Sequence, residues 1–203
     1  MLENIGLRER KKIKIHKAVI ETAWKLFSEK GFENVKVSDI ADQADISVKT
    51  LFTYFNSKED ILFAGEDELL EEIITAIHLR KHEASIFDSI ADLIQKLIND
   101  EDDPVAAEAN ELIKLIALNP VIQRRLLIMW QKYENRLTDV VTAELSMEPG
   151  DPRAQIIACN LVLPFRMMFE RKMKGKGRLL TDGKWLNQVM EAIKIPGGIT
   201  TQK

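Results

Sequence analysis

Residues 35–55 read VKVSDIADQADISVKTLFTYF, and they determine how the rest of the sequence is interpreted. Their apolar residues recur at helical spacing in two short runs, which are separated by a break at Asp45. Ser47 is placed to cap the second run, because a serine hydroxyl accepts a hydrogen bond from a free N–H group in the first turn of a helix. Two short helices joined by a capped turn predict a helix-turn-helix.

The predicted helices divide their side chains between an inner and an outer face. The residues expected to pack together are Ile40, Ala41, Ala44, Ile46, Leu51 and Phe55. The outer face of the second helix carries Val48, Lys49, Thr50, Phe52, Thr53 and Tyr54. Hydroxyl groups and a lysine on a protruding helix suit the phosphate oxygens and base edges of DNA. Any helical hairpin with a polar exterior shows the same pattern, so the spacing alone leaves both interpretations open.

Helical spacing continues on both sides of this motif. A stripe from Ile15 to Phe27 ends at Gly31, a residue type that commonly follows the last turn of a helix. Ser57 is placed to cap a long helix that runs through Ile77. Further helices are expected over residues 85–99, 104–118, 120–147, 152–174 and 181–193, followed by a mobile tail. No strand pattern persists, so the sequence predicts an all-α fold of about nine helices.

The charge of the chain is unevenly distributed. The formal net charge is −3, yet the first 17 residues carry six basic side chains against two acidic ones. A basic arm attached to an acidic body indicates a local contact with a polyanion, because the body would be repelled from phosphates. A solvated helix end accounts for the same run of charges. Composition alone therefore does not separate the two interpretations.

Composition and motifs argue against several protein classes. An apolar content of 45% with 30% charged residues is typical of a soluble globular protein. Cys159 is the only cysteine and no secretory signal or membrane span is apparent, so we expect a cytoplasmic protein. No phosphate-binding loop or catalytic set assembles, so neither an enzyme nor a cofactor is expected. His78 and His82 have a spacing that can serve a metal ion, but they lack an obvious third ligand, and no metal site is predicted.

The residues from Ile20 to Leu62 resemble the N-terminal domain of the tetracycline-repressor (TetR) family. The family pattern Ala-x-x-Leu-Phe-x-x-x-Gly-Phe is present at Ala23, Leu26, Phe27, Gly31 and Phe32. The stretch TLFTYFNSKEDIL at residues 50–62 is a more specific match than a generic helix-turn-helix. The resemblance covers roughly the first third of the chain and implies a transcriptional regulator. Such a protein would be a homodimeric repressor that a small-molecule effector releases from a palindromic operator.

The resemblance also implies roles for individual residues. Val48, Lys49 and Phe52 would lie nearest the bases, and Thr50, Thr53, Tyr54 and Lys58 would contact phosphates. A basic arm that gains order only against DNA would add Arg8, Arg10, Lys11 and Lys12. Lys36, Ser38 and Ser47 complete the expected set of DNA contacts.

Three positions depart from the family pattern. Lys36 stands where the family often has a capping threonine, so the cap of that helix is expected from Ser38 or is absent. Asp45 replaces the usual turn glycine, and aspartate tolerates a left-handed backbone better than most residues. Phe52 replaces a common tyrosine, which leaves an apolar ring that can meet a thymine methyl group.

The expected organisation is a DNA-binding domain at residues 1–56 and a helical effector-binding and dimerisation domain at residues 57–203. Apolar stripes on the last two helices predict a four-helix dimer interface. Its residues are Ile157, Leu161, Met168, Trp185, Leu186, Val189, Met190 and Ile193. The same stripes are also expected of the core of one subunit, and this alternative stays open.

Large side chains in the C-terminal half mark the expected lining of an effector pocket. The candidates are Met129, Trp130, Tyr133, Phe165, Arg166, Met167 and Phe169. Pro164 lies inside a predicted helix, where it would introduce a kink that opens space between helices. A different class of function also fits the sequence: a helical small-molecule-binding protein, or a small helical enzyme, in which the helix-turn-helix is only structural.

Overall fold

The computed structural model describes residues 6–99, 113–174 and 183–194. Every regular element within these ranges is helical, which confirms the all-α prediction. The chain divides into two compact units, Met1–Gly65 and Glu66–Lys203. This division falls nine residues after the domain boundary expected from the sequence at residue 56, so the short helix that follows Ser57 lies in the first unit.

The first unit begins with α1, Leu7–Lys30. Its buried side chains are Val19, Ala23, Leu26 and Phe27. As predicted, the helix ends at Gly31, whose φ is 77°, a backbone conformation that glycine adopts without steric cost. A single 3-10 turn, Phe32–Asn34, follows, and the ring of Phe32 packs 5.0 Å from that of Phe27.

Three short helices complete the first unit: α2 (Val37–Gln43), α3 (Val48–Leu51) and α4 (Lys58–Leu62). Asp45 occupies the turn between α2 and α3 with φ of 54°, in agreement with the left-handed conformation expected there. The Ser47 hydroxyl accepts from the backbone N–H of Thr50 at 3.0 Å, and the Ser57 hydroxyl accepts from that of Asp60 at 3.1 Å. Both predicted serine caps are therefore confirmed.

The prediction of one long helix from Ser57 through Ile77 is wrong, because the structure has two separate helices in this stretch. α4 ends at Leu62, and α5 (Glu66–His78) begins four residues later. Gly65 lies in this break, and glycine is about 1 kcal/mol less favourable than alanine inside a helix. Phe63 is only 3% exposed, so burial of its ring accompanies the interruption.

The second unit contains α5, α6 (Ile86–Asn99), a helical stretch at residues 113–118, α7 (Pro120–Glu144), α8 (Pro152–Met173) and α9 (Gly183–Ile193). Proline opens α7 and α8, as its fixed φ and missing N–H favour. The expected helix starts at residues 104 and 181, and the expected mobile tail, lie outside the described residues. No helix in the described ranges is long and apolar enough to cross a membrane.

The apolar stripes on α8 and α9 form the core of the second unit. α8 packs along α7, and α9 packs against α8 and α6. Six of the residues expected at a dimer interface are at most 7% exposed in the single chain: Ile157, Leu161, Leu186, Val189, Met190 and Ile193. The expectation of a dimer interface at these six residues is wrong, because the subunit's own helices already cover them. Met168 and Trp185 are half-buried.

Candidate DNA-binding surface

The outer face of α3 exposes two large apolar side chains. Val48 is 37% and Phe52 49% exposed, and their spacing of four places them on one face of the helix. Lys49 is exposed beside them, whereas Leu51, on the opposite face, is fully buried. Burying a side chain of this kind typically contributes about 1.5–3 kcal/mol of favourable free energy. In the isolated chain the two apolar groups do not make this contribution, because they remain exposed. Such a surface is suited to a binding partner.

Hydrogen bonds within the turn hold the hydroxyl groups of α3. The hydroxyl oxygens of Ser47 and Thr50 lie 2.8 Å apart and share one hydrogen bond. Because the pair has two hydroxyl hydrogens, one remains available to an outside acceptor. The Thr53 hydroxyl donates to the carbonyl of Lys49 at 3.1 Å, so its hydrogen must rotate away before it can meet a phosphate.

At the start of α2, a carboxylate rather than a hydroxyl accepts a hydrogen bond from the backbone. The backbone N–H of Lys36 donates to Oδ2 of Asp39 at 2.9 Å. The expectation that Ser38 supplies the cap is wrong, whereas the alternative, that the cap is absent, is confirmed, because the N-cap residue Lys36 makes no side-chain cap hydrogen bond. Lys36 and Ser38 are both exposed.

The basic residues at the N-terminus belong to the first turns of α1. Arg8, Arg10, Lys11 and Lys12 are all exposed. The expectation of an arm that is ordered only against DNA is wrong for these residues, since α1 begins at Leu7. Glu9 lies 3.8 Å from the Lys12 ammonium, an exposed pair of the kind that typically contributes under about 1 kcal/mol.

Lys58 has contacts that sequence reasoning missed. Its Nζ donates to the carbonyl of Phe32 at 2.8 Å and to that of Val35 at 3.2 Å. The same ammonium lies 4.2 Å from the centre of the Phe32 ring, a favourable cation–π distance. Two of its three N–H groups are thus used within the chain, at the turn that leads into α2. No local sequence signal predicts these contacts, which join residues 23 and 26 positions apart.

His16 is a second residue that sequence reasoning missed. Its ring stacks on that of Phe55, with centroids 4.8 Å apart and planes inclined by 24°. The ring of Tyr54 lies 6.4 Å away. Partial burial and, to a lesser extent, the charge of Lys12 lower the pKa of His16. A usable signal existed, because His16 precedes the buried Val19 by three positions and so shares its face of α1.

Comparison with known proteins assigns this surface. Residues 19–64, which span the second half of α1 together with α2, α3 and α4, match the family model described as bacterial regulatory proteins of the tetR family. Residues 19–64 are therefore similar to the N-terminal domain of TetR-family regulators. The HTH-type transcriptional regulator TcmR of Streptomyces glaucescens is 31% identical over 75 residues, which cover 37% of this chain and 33% of that protein. HbdR of Aromatoleum is 42% identical over 53 residues, 26% of this chain and 23% of its own.

These curated relatives thus match over a third or less of their own length. Similarity to solved structures extends further along the chain. FadR of Thermus thermophilus, described as a TetR-family repressor in complex with lauroyl-CoA, covers 93% of this chain, and this chain covers 99% of FadR. The TM-score is 0.56 at 15% identity, so the likeness shows a common fold.

In the second unit, three of the expected pocket residues form an aromatic cluster. Trp130 meets Tyr133 and Phe169 edge to face, with centroids 5.5 and 5.4 Å away. Met129, Trp130, Tyr133 and Phe165 are buried, whereas Arg166, Met167 and Phe169 are half-buried. Arg166 donates to Glu134 Oε1 at 3.1 Å. Burial, followed by the charges of Glu66 and Asp67, raises the pKa of Tyr133, so its hydroxyl stays protonated and donates to the Glu66 carbonyl.

Charged residues link the start of α5 to α7. Glu66 Oε2 lies 2.9 Å from Arg125 Nη2, and Glu66 Oε1 lies 2.9 Å from Lys132 Nζ. Burial lowers the pKa of Lys132, but its hydrogen bonds with Asp67 and Glu66 outweigh that effect and raise the pKa overall. This network begins at Glu66, the first residue of the second unit.

The two histidines with metal-compatible spacing do not converge on a ligand set. His78 Nδ1 lies 2.8 Å from Glu144 Oε1. The other oxygen of this carboxylate, Oε2, accepts a charge-assisted hydrogen bond from Arg80 at 2.7 Å. His82 is exposed. Among the described residues, no group of three potential metal ligands comes together.

Proposed function

We propose that this chain is a transcriptional repressor that reads duplex DNA through α3, rather than an enzyme. The observation that carries the proposal is the exposed pair Val48 and Phe52 beside Lys49, on a helix that Leu51 anchors in the core. Apolar groups of this size suit thymine methyl groups in the major groove, and a lysine ammonium suits guanine acceptors. Domain family and residue chemistry therefore support the same surface.

The proposed phosphate contacts surround this apolar pair. They are the Ser47–Thr50 hydroxyl pair, Thr53, Tyr54, Lys36 and Ser38, with Arg8, Arg10, Lys11 and Lys12 from the first turns of α1. Each basic contact releases condensed counterions, so affinity should fall steeply as salt is raised. For Lys58 we propose a different role. Its ammonium holds the Phe32–Val35 turn against the start of α4 and so positions the helix-turn-helix.

A dimer is proposed through the outward face of α8. Ile156 is 53% and Leu163 37% exposed, and their spacing of seven places them on one face of the helix. Cys159 and Met167 are half-buried beside this line, which we call the outer stripe of α8. These positions replace the buried residues expected from the sequence. A two-fold contact along the outer stripe would pair two α3 helices for successive major grooves of a palindromic operator.

The effector is proposed to bind in the second unit, which contains most of the effector domain expected from the sequence and begins at Glu66. Thermus thermophilus FadR supports this proposal, since it shares the fold and is described as a repressor in complex with lauroyl-CoA. The aromatic cluster of Trp130, Tyr133 and Phe169 is the proposed contact region. A ligand there would act on the cytoplasmic repressor by favouring the form with low DNA affinity.

The first prediction tests α3. A duplex enriched by the purified chain from a random-sequence library serves as the operator probe. Lys49→Ala is expected to weaken binding about tenfold, because a specific base contact typically contributes about 1–3 kcal/mol. Lys25→Ala, which removes another exposed lysine of the same unit, should bind normally. Anisotropy titrations measure both, and if no duplex is enriched, or if Lys49→Ala binds normally, the proposal that α3 reads DNA is wrong.

The second prediction tests the effector region with lauroyl-CoA as the probe. In a Trp24→Phe, Trp185→Phe chain, Trp130 is the remaining tryptophan. We expect its emission to change over the same lauroyl-CoA concentrations that release the operator, because the acyl chain would displace neighbouring rings. Coenzyme A without an acyl chain is the control, and it should neither change the Trp130 emission nor release the operator. Release without any change in emission would place the effector away from Trp130.

A further inference from the structure

His16 lies at the contact between α1 and the end of the DNA-reading segment, residues 47–55. Its ring covers one side of Phe55, which is 5% exposed, at a stacking distance of 4.8 Å. Tyr54 is half-buried, and its ring lies 6.4 Å from the imidazole at an inclination of 59°. The histidine is thus in ring contact with Phe55 and close to a residue proposed to touch phosphate.

We propose that His16 positions the Tyr54–Phe55 end of the reading segment and that protonation of its imidazole strengthens operator binding. The inference rests on the proposed DNA-binding function. It adds a pH-dependent element to that function at a residue outside the reading segment itself.

The positioning role follows from where the helix ends. α3 stops at Leu51, and Tyr54 and Phe55 lie beyond it, held by backbone N–H groups that donate to the Leu51 carbonyl at 2.9 and 3.1 Å. Beyond the helix, side-chain contacts contribute more to the direction of each ring. Stacking against His16 restrains the Phe55 ring on one side, and aromatic neighbours favour such offset arrangements. The orientation of the adjacent Tyr54 hydroxyl therefore depends on the imidazole.

The protonation role follows from the groups that face the ring. Lys12 lies on the same helix, and the rings of Tyr54 and Phe55 face the imidazole from the reading segment. Burial and the Lys12 charge lower the pKa of the imidazole in the free chain, so it is neutral near pH 7. Proposed phosphate contacts lie on either side, at Tyr54 and along α1. A phosphate anion nearby stabilises the imidazolium and raises its pKa in the complex.

The sign of the pH effect follows from this difference. The complex binds the proton more tightly than the free chain does, so DNA binding is accompanied by proton uptake. Operator affinity is therefore highest below the pKa of the free chain and declines as the pH rises through the pKa of the bound state. One pKa unit of difference corresponds to about a tenfold change in affinity.

The experiment compares wild type with His16→Phe, His16→Ala and His82→Gln. The duplex enriched by wild type is titrated at constant ionic strength between about pH 8 and about pH 6, which spans the ordinary histidine pKa. His16→Phe keeps an aromatic ring but cannot titrate, whereas His16→Ala removes both properties. His82→Gln is the matched control, because His82 is exposed and lies in the second unit. Thermal melts by circular dichroism at each pH verify that every variant is folded.

Wild type and His82→Gln should bind about threefold to tenfold more tightly near pH 6 than near pH 8. His16→Phe should lose this pH dependence. Near pH 8, a folded His16→Ala should bind the duplex more weakly than wild type, whereas His16→Phe should bind with most of the wild-type affinity. Retention of the wild-type pH dependence in His16→Phe overturns the protonation role. Wild-type affinity of His16→Ala near pH 8 overturns the positioning role. If wild type enriches no duplex at all, the DNA-binding proposal itself fails, and that result is distinct from both.

Discussion

Replacing Ile156 and Leu163 together with aspartate is expected to convert the proposed dimer into a monomer and to weaken operator binding by about a hundredfold or more. Linking two DNA-binding units makes the second contact intramolecular, which typically raises overall affinity by about 10² to 10⁴. Both side chains are exposed in the single chain, so aspartate is hydrated there and the subunit fold should persist. In a dimer, the same carboxylates would be buried against each other without partners.

Analytical ultracentrifugation measures the oligomeric state, and anisotropy titration measures the affinity. The matched control is Leu127→Asp with Ile128→Asp on α7, where two apolar side chains are also exposed, by 57% and 63%. This control should remain dimeric and bind the operator normally. If it becomes monomeric while the α8 variant stays dimeric, the interface lies on α7 and the outer stripe of α8 has another role.

Local signals in the sequence predicted the helix-turn-helix well. The caps at Ser47 and Ser57, the stop at Gly31 and the left-handed Asp45 each depend on atoms within about one helical turn, where residue type dominates the conformation. The outward direction of Val48 was likewise predictable from helical periodicity. Prediction and structure agree here because these features depend on hydrogen bonds and backbone conformations among residues that are close in sequence.

Periodicity was less informative about what covers an apolar face. The stripes through Ile157 and Leu186 indicated burial correctly, but a subunit core and a dimer interface require the same pattern. Only the packing of α7, α8 and α9 separates them, and this packing leaves Ile156 outside. The break after α4 was missed for a related reason, since apolar spacing continues across Phe63 and Gly65 although the backbone does not.

Interactions between distant parts of the chain were beyond prediction from the sequence. The ammonium of Lys58 bonds to carbonyls 26 and 23 residues earlier, and no pattern of residue types specifies which carbonyls those are. The link between Glu66 and Lys132, 66 residues apart, is of the same kind. The resemblance to a family assigned Lys58 to phosphate, whereas its contacts support a positioning role. An experiment distinguishes the two.

Lys58→Met is expected to lower the thermal midpoint of unfolding and weaken operator binding about tenfold, without changing the dependence of affinity on salt. Methionine keeps the chain beside the Phe32 ring but leaves two carbonyls without their donor. Hydrogen bonds from a charged donor typically contribute about 1.5–3 kcal/mol, and a loss of about 2 kcal/mol corresponds to about 4–8 °C in a chain of this size. Affinity falls because the turn before α2 loses its anchor.

Lys36→Met provides the matched comparison. Lys36 is exposed, its backbone rather than its ammonium bonds to Asp39, and it is proposed to contact phosphate. Its loss should leave the thermal midpoint unchanged and make the slope of log affinity against log salt less steep by about 0.9, as expected when one phosphate contact is removed. Titrations at several salt concentrations, paired with calorimetry, measure both quantities. If Lys58→Met instead shows the shallower slope with an unchanged midpoint, its ammonium leaves the Phe32 and Val35 carbonyls to bind phosphate, and the positioning role is wrong.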